Sequence, residues 1–193
     1  MKRIILLLIS MLMLNMACQE DLIEPENEMQ VNTAIDKVDK IKTYPIKGTV
    51  MVIPNNEGPQ ITCVPVDAGV IMAETGWVRG HETIFGKFDP ENSTYEKEFC
   101  EFMMTSQGPV VYTLTNVTLQ RMNGDQMFVE NHSWLNVATG EISGYSEVVD
   151  GTGRLEGVTG RAEMLNGTVD LSTGIGNWEE VGHITLILKE GKE

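Results

Sequence analysis

The segment GTGRLEGVTG, residues 151–160, is the most distinctive stretch of this 193-residue chain. Its glycine spacing is neither that of a P-loop nor that of a dinucleotide-binding fingerprint, and strand patterns lie on both sides of it. A helix N-terminus that would receive an anion is therefore not expected here. We interpret the segment as a corner at which the glycines let the chain bend sharply and pack close to a neighbour.

Strand patterns continue outward from this corner in both directions. In residues 178–189, Ile184, Leu186 and Leu188 share one face, as period-two alternation requires. Segments rich in β-branched and aromatic residues recur between clusters of Gly, Asn, Asp and Pro, which is typical of an antiparallel sandwich or barrel. The predicted strands are residues 44–53, 70–79, 82–88, 94–104, 110–121, 126–135, 141–149, 161–171 and 178–189.

Two connections between the predicted strands are informative. Asn123 and Gly124 lie between two strand patterns, and both residue types can adopt the positive φ angles of a tight hairpin turn. We therefore predict a hairpin at this point. A longer loop opens at residues 54–58 and reaches about Gly69, where it could border the mouth of a ligand site.

The glycine corner resembles a motif of one protein family. Residues 151–160 resemble the pattern Gly-Thr-Gly-Arg-Phe-x-Gly-Ala-Thr-Gly of bacterial secreted proteins related to the allene oxide cyclase and dirigent barrels, with Leu155 and Val158 replacing Phe and Ala. The sequence NGDQMF at residues 123–128 resembles the Asn-Gly-Asp-x-Leu-Phe hairpin of the same family. These motifs occur in the family's order.

A third motif lies earlier in the chain. Residues 80–88 resemble a family segment that contains Thr-His-Leu-Gly-Lys-Phe, with Ile84 at the histidine position and Phe85 at the leucine position. Together the three motifs span roughly residues 75–188, and the resemblance implies an all-β fold, a single antiparallel, calycin-like barrel of about eight strands. It implies no activity, because the bacterial members are mostly of unassigned function and Ile84 replaces the histidine.

The start of the chain has the three-part plan of an export signal. Residues 1–17 comprise a basic start, an apolar run and a small residue, Ala17, directly before Cys18. The apolar run at residues 4–14 is well short of the roughly 20 residues that a membrane-spanning helix needs. The junction resembles the lipobox of bacterial lipoproteins, in which Cys18 takes the lipid, although Asn15 stands where Leu is usual. The alternative is ordinary cleavage that leaves Cys18 as a free thiol.

We predict three regions: a lipoprotein signal peptide at residues 1–17, an acidic flexible tether at 18–42, and the β-barrel domain at 43–193. The acidic run at residues 19–28 resembles the surface-export tag of Bacteroidota lipoproteins, but low hydrophobicity and like charge predict a solvated tether equally well. The expected location is the bacterial outer membrane, anchored through the lipid on Cys18 and facing either the periplasm or the cell exterior.

Composition excludes one class of partner. The net charge is −14, and loss of Lys2 and Arg3 with the signal makes the mature chain more acidic. Such a chain repels phosphate backbones, and no basic cluster offsets the repulsion. We therefore expect no nucleic-acid partner.

Two cysteines remain in the predicted domain. In an oxidising compartment, Cys63 and Cys100 could form a disulfide, and two buried free thiols are the alternative. No second cysteine or nearby histidine gives either of them metal-ligand spacing, so we expect neither a metal nor another cofactor.

One strand carries candidate cavity residues. Phe128, Glu130, His132 and Trp134 share one face of the strand predicted at 126–135. Aromatic and polar groups together could line a barrel cavity, or they could form an outer face that a loop covers.

Isolated titratable residues provide weaker candidates. The histidines are His81, His132 and His183. Because no two of them lie on the same predicted strand, we expect surface or hydrogen-bonded histidines and no metal site. Carboxylates that would become general acids if buried include Glu74, Glu98 and Glu147, but no grouping of residues indicates catalysis.

Three functions remain open. The first is a lipid-anchored binding or accessory module for a small apolar ligand, a glycan or an envelope protein. The second is an isomerase or cyclase that acts on a hydrophobic substrate in the barrel, which would require a buried carboxylate or tyrosine facing an apolar cavity. The third is a structural surface or adhesion component.

Overall fold

The computed structural model describes residues 40–188. The predicted signal peptide, Cys18 and the tether up to residue 39 lie outside this range. The first strand begins at Lys40, so residues 40–42 of the predicted tether belong to a strand.

Eleven strands are present in residues 40–188, and none of these residues is in an α-helix. No helix in this part of the chain therefore has the length and apolar character that crossing a membrane requires. The strands are β1 (Lys40–Pro54), β2 (Gln60–Thr62), β3 (Ile71–Ala73), β4 (Thr75–Glu82), β5 (Gly86–Lys87), β6 (Thr94–Thr105), β7 (Gly108–Gln120), β8 (Gln126–Asn136), β9 (Glu141–Gly151), β10 (Thr159–Val169) and β11 (Gly176–Leu188).

Eight of the strands close into a barrel. The order around the sheet is β1-β11-β10-β9-β8-β7-β6-β4, and β4 also pairs with β1, which completes the ring. All of these pairings are antiparallel. The predicted all-β fold, a single antiparallel barrel of about eight strands, is confirmed.

Two predicted strands differ from the observed elements. The strand predicted at 70–79 is interrupted at Glu74 and forms β3 and most of β4. The strand predicted at 82–88 is mostly a turn, in which only Gly86–Lys87 pairs with β4. Its apolar residues reflect burial rather than strand pairing, because the Phe85 and Phe88 rings pack edge to face in the core, 5.5 Å between centroids.

The hairpin predicted at Asn123-Gly124 joins β7 to β8. The turn differs from the predicted one, in which both residues would have positive φ angles. Gly124 has a φ of 90°, but Asn123 is not among the residues with positive φ. The Gly124 amide donates to the Arg121 carbonyl at 2.9 Å, and the Arg121 amide donates to the Asp125 carbonyl at 2.8 Å. The connection therefore spans residues 121–125.

The two ends of the barrel are built differently. At one end, where β1 reaches Pro54, the loop that holds β2 and β3 and the 170–175 turn border the interior. The opposite end is filled by buried apolar side chains from the connections and from β11, which are Phe85, Phe88, Leu155, Val158 and Ile184. The barrel is thus closed at the end where β1 begins.

The segment at residues 151–160 forms the sharp corner predicted for it. The Asp150 Oδ1 atom accepts hydrogen bonds from the amides of Gly151 at 2.7 Å and Gly157 at 3.0 Å. The carboxylate therefore uses backbone donors that a phosphate would need, and these bonds also lower the pKa of Asp150. At the end of the segment, a Cβ on Gly160 would lie 2.4 Å from the His183 carbonyl oxygen.

We expect Gly160→Ala to lower the free energy of unfolding by about 2 kcal/mol, because the added methyl group must push β10 away from β11. Urea denaturation at neutral pH measures the loss. Thr159→Ala, at the exposed neighbouring position, is the matched control and should change stability by less than about 0.5 kcal/mol. Equal effects of the two substitutions would show that this close approach is not required.

Candidate binding site

The barrel interior contains a cavity of about 490 Å³. Most of its wall is made by inward-facing aliphatic side chains of the barrel strands, which include Val50, Val78, Val111, Val117, Leu119, Met127, Val129, Leu135 and Val148. Successive residues of a strand point to opposite faces, so these residues follow the period-two rule. The inward residues of β7 and β8 include no aromatic side chain, and the interior is consequently not filled.

The cavity opens at the end where the loops meet. Ile71 and Leu171 line the cavity and are 58% and 50% exposed, so they form its rim. Val70, Met72 and Ala73 extend the rim in and just before β3, and residues 172–174 extend it along the turn between β10 and β11. Pro54 and Asn56 also line the cavity, so the loop predicted at residues 54–69 borders the mouth.

The rim loop, residues 55–74 between β1 and β4, is attached to the barrel by a disulfide between its Cys63 and Cys100 of β6. Backbone hydrogen bonds strengthen the attachment, from the Val64 amide to the Cys100 carbonyl at 3.0 Å and from the Phe102 amide to the Val64 carbonyl at 2.6 Å. Both cysteine side chains are buried with Val111. The position of the rim loop thus depends on this disulfide.

Two buried glutamates face the cavity from strands on either side of β1. Glu82 on β4 and Glu180 on β11 both pair with Gly48 of β1, and they are only 3% and 5% exposed. A Cβ on Gly48 would lie 2.7 Å from the Glu82 Cγ atom. Glycine at this position therefore leaves the space in which the two carboxyl groups meet.

Glu180 is held by a chain of polar side chains. The Ser146 hydroxyl donates to Glu180 Oε1 at 2.8 Å, and the indole nitrogen of Trp178 donates to the same atom at 3.1 Å. Asn131 Nδ2 donates in turn to the Ser146 oxygen at 3.1 Å. These bonds compensate for the burial of the Glu180 carboxylate.

Glu82 has fewer hydrogen-bond partners than Glu180. Its carboxyl group interacts with that of Glu180, and its buried Oε2 atom has no hydrogen-bond partner among residues 40–188. Burial, followed by the charge of Glu180 and the hydrogen bond to it, raises the pKa of Glu82 to about 8. Glu82 is therefore largely protonated at neutral pH.

A lysine lines the same cavity. Lys97 Nζ donates to the Ala73 carbonyl at 2.8 Å and lies 4.4 Å from the centre of the Tyr95 ring. Burial lowers the pKa of Lys97 to about 8 and raises that of Tyr95 to about 12. The ammonium group is thus a positive charge close to the rim residue Ala73.

The candidate cavity residues on β8 lie on the opposite face of that strand. Phe128, Glu130, His132 and Trp134 point outward, and Met127, Val129, Asn131, Ser133 and Leu135 line the cavity instead. The prediction that the first four residues line the cavity is wrong, because they lie on an outer face, where rings of β7 and β9 contact Trp134 and His132. The cause is an unusual distribution of residue types, since the outer face carries the aromatic rings and the inner face carries an amide and a hydroxyl.

The outward residues belong to a group of stacked rings on the barrel surface. The His132 and Tyr145 rings stack with centroids 4.6 Å apart, and the Tyr112 and Trp134 centroids are 5.2 Å apart. The Tyr112 hydroxyl and His132 Nδ1 are hydrogen-bonded at 2.9 Å. Arg161 covers the far side of Tyr145, 3.6 Å from its ring centre. The rings therefore contact one another across β7, β8 and β9.

The other titratable candidates take no part in the cavity. His81 is hydrogen-bonded to the Thr49 hydroxyl at 3.2 Å. Glu147 forms an ion pair with Arg161 at 2.8 Å on the barrel surface, and Glu98 is exposed. Within residues 40–188, no three His, Cys, Asp or Glu side chains are grouped so that they could hold a metal ion.

No family model matches the chain, and no curated protein matches it. Among solved structures, a similar chain is the pterocarpan synthase dirigent protein GePTS1, with 13% identity, a TM-score of 0.38, and coverage of 80% of this chain and 90% of that one. The eight-stranded barrel itself rests on the strand pairing described above.

Proposed function

We propose that this protein is a binding or accessory module that holds one small, largely apolar molecule inside its barrel. The observation that carries the proposal is the cavity of about 490 Å³ with aliphatic walls and an exposed rim. Cavities that bind small molecules are usually about 300–1,000 Å³, with mainly apolar walls and a few polar groups that orient the ligand. The carboxyl pair and Lys97 are such polar groups.

The proposed setting is the bacterial cell envelope, with a lipid anchor on Cys18. The signal pattern at residues 1–18 supports it. The first described strand begins at Lys40, at the end of the barrel opposite the mouth.

A second candidate function is acid-catalysed isomerisation or cyclisation of a hydrophobic substrate in the same cavity. Glu82 favours this candidate, because a buried carboxylic acid that is still protonated at neutral pH can donate a proton to a bound molecule. The two candidates differ in the fate of the ligand. A carrier returns its ligand unchanged after extraction, whereas an enzyme releases a rearranged isomer of the same mass.

Filling the cavity should weaken binding of an apolar probe. In the variant Thr115→Phe/Val129→Phe, two phenyl rings enter the interior from β7 and β8. We expect the dissociation constant for N-phenyl-1-naphthylamine, measured by its fluorescence, to rise roughly tenfold or more, a loss of about 1.4 kcal/mol.

The matched control is Asn116→Phe/Glu130→Phe, which places the same two rings on the outer face of the same strands. It should bind the probe as the wild-type protein does. If both variants bind the probe equally well, or if the wild-type protein does not bind it, the proposed function is wrong.

A further inference from the structure

The carboxyl pair is asymmetric in its hydrogen bonding. Glu180 Oε1 receives bonds from both Ser146 and Trp178. The Oε2 atom of Glu82 is buried and receives no hydrogen bond from the part of the chain that the structure describes. A buried carboxyl oxygen without a donor is costly, so a ligand that supplies a donor here gains more than one that does not.

The charges in the cavity restrict what that donor can be. Glu82 and Glu180 line the same cavity, and burial beside Glu180 keeps a proton on Glu82 at neutral pH. An anionic head group at Glu82 Oε2 would lie beside a second buried carboxyl group, and an ammonium group at the same place would compete with the proton on Glu82. A neutral donor adds no charge to a site of low polarity, where an unpaired charge is expensive.

We propose that the bound molecule is a neutral, largely apolar alcohol whose hydroxyl group donates a hydrogen bond to the Glu82–Glu180 pair. Its apolar body lies against the aliphatic wall, with the far end directed toward the rim at Ile71 and Leu171. This inference rests on the proposed function and adds the chemical class of the ligand.

The test compares two isomeric probes, 1-decanol and nonyl methyl ether, which differ in whether they carry a hydroxyl donor. Each displaces N-phenyl-1-naphthylamine from the full-length protein, and the ratio of the ether's dissociation constant to the alcohol's is measured. Glu82→Leu removes the acceptor, whereas Glu82→Gln keeps an acceptor oxygen and can still donate to Glu180.

We expect the ratio to fall roughly tenfold in Glu82→Leu, because the hydroxyl group then loses its partner inside the cavity. The ratio in Glu82→Gln should stay close to the wild-type value. An unchanged ratio in Glu82→Leu, a loss in Glu82→Gln as large as in Glu82→Leu, or tighter binding of decylamine or decanoate than of 1-decanol would overturn the inference. These outcomes leave the proposed function standing, whereas it fails as well if no probe displaces the dye from the wild-type protein.

Discussion

The Glu82→Gln variant is expected to be more stable than the wild-type protein at pH 8, by on the order of 4 kcal/mol. An ordinary glutamate has a pKa of 4.5, and burial beside Glu180 raises that of Glu82 to about 8. Between these pH values the folded protein keeps a proton that the unfolded chain has released. The wild-type free energy of unfolding therefore decreases as pH rises through this window, whereas the glutamine variant has no such proton to lose.

Urea denaturation at intervals from pH 4.5 to pH 9 measures this difference. The stability gap between variant and wild type should widen by up to about 1.4 kcal/mol per pH unit and level off above pH 8. Glu96→Gln removes the same charge from the exposed face of β6 and controls for net charge. A gap that does not change with pH would mean that Glu82 ionises as an ordinary surface carboxyl group does.

Loss of the disulfide should change stability by a similar amount in the opposite direction. The crosslink joins residues 37 positions apart. In the chain-entropy model, closing a loop of this length stabilises the folded state by roughly 4 kcal/mol. We expect the double variant Cys63→Ala/Cys100→Ala to lose about this amount in urea denaturation, and its melting temperature to fall by roughly 10 °C.

The single variants and the reduced wild-type protein complete this experiment. Each should lose a similar amount, since each breaks the same crosslink. The rim loop is anchored by this bond, so N-phenyl-1-naphthylamine should also dissociate faster from the double variant. Unchanged stability on reduction of the wild-type protein would show that Cys63 and Cys100 are not bonded in solution.

The barrel could be predicted from sequence because its strands follow a local rule. On β11 the alternation of Ile184 with its polar neighbours determines which residues face inward, whatever the rest of the chain does. Extended backward by steps of two, the same pattern reaches Glu180 and Trp178. That extension was the available signal that one glutamate faces the interior.

The pairing of Glu82 with Glu180 had no local signal. It depends on β1 pairing with both β4 and β11, and these residues are far apart in the chain. The four residues of β8 were misplaced for a different reason. A cavity that keeps Asn131 and Ser133 inside, and a surface that stacks His132 on Tyr145 outside, reverse the usual relation between polarity and burial.

Native mass spectrometry of the purified protein, before and after incubation with a lipid extract of its source cells, tests most directly whether the barrel interior is a ligand site. We expect one adduct of a small molecule per chain, retained by Asn116→Phe/Glu130→Phe and absent from Thr115→Phe/Val129→Phe. A bare protein mass under both conditions, or an adduct that the filled-cavity variant keeps, would contradict the assignment of the cavity as the binding site.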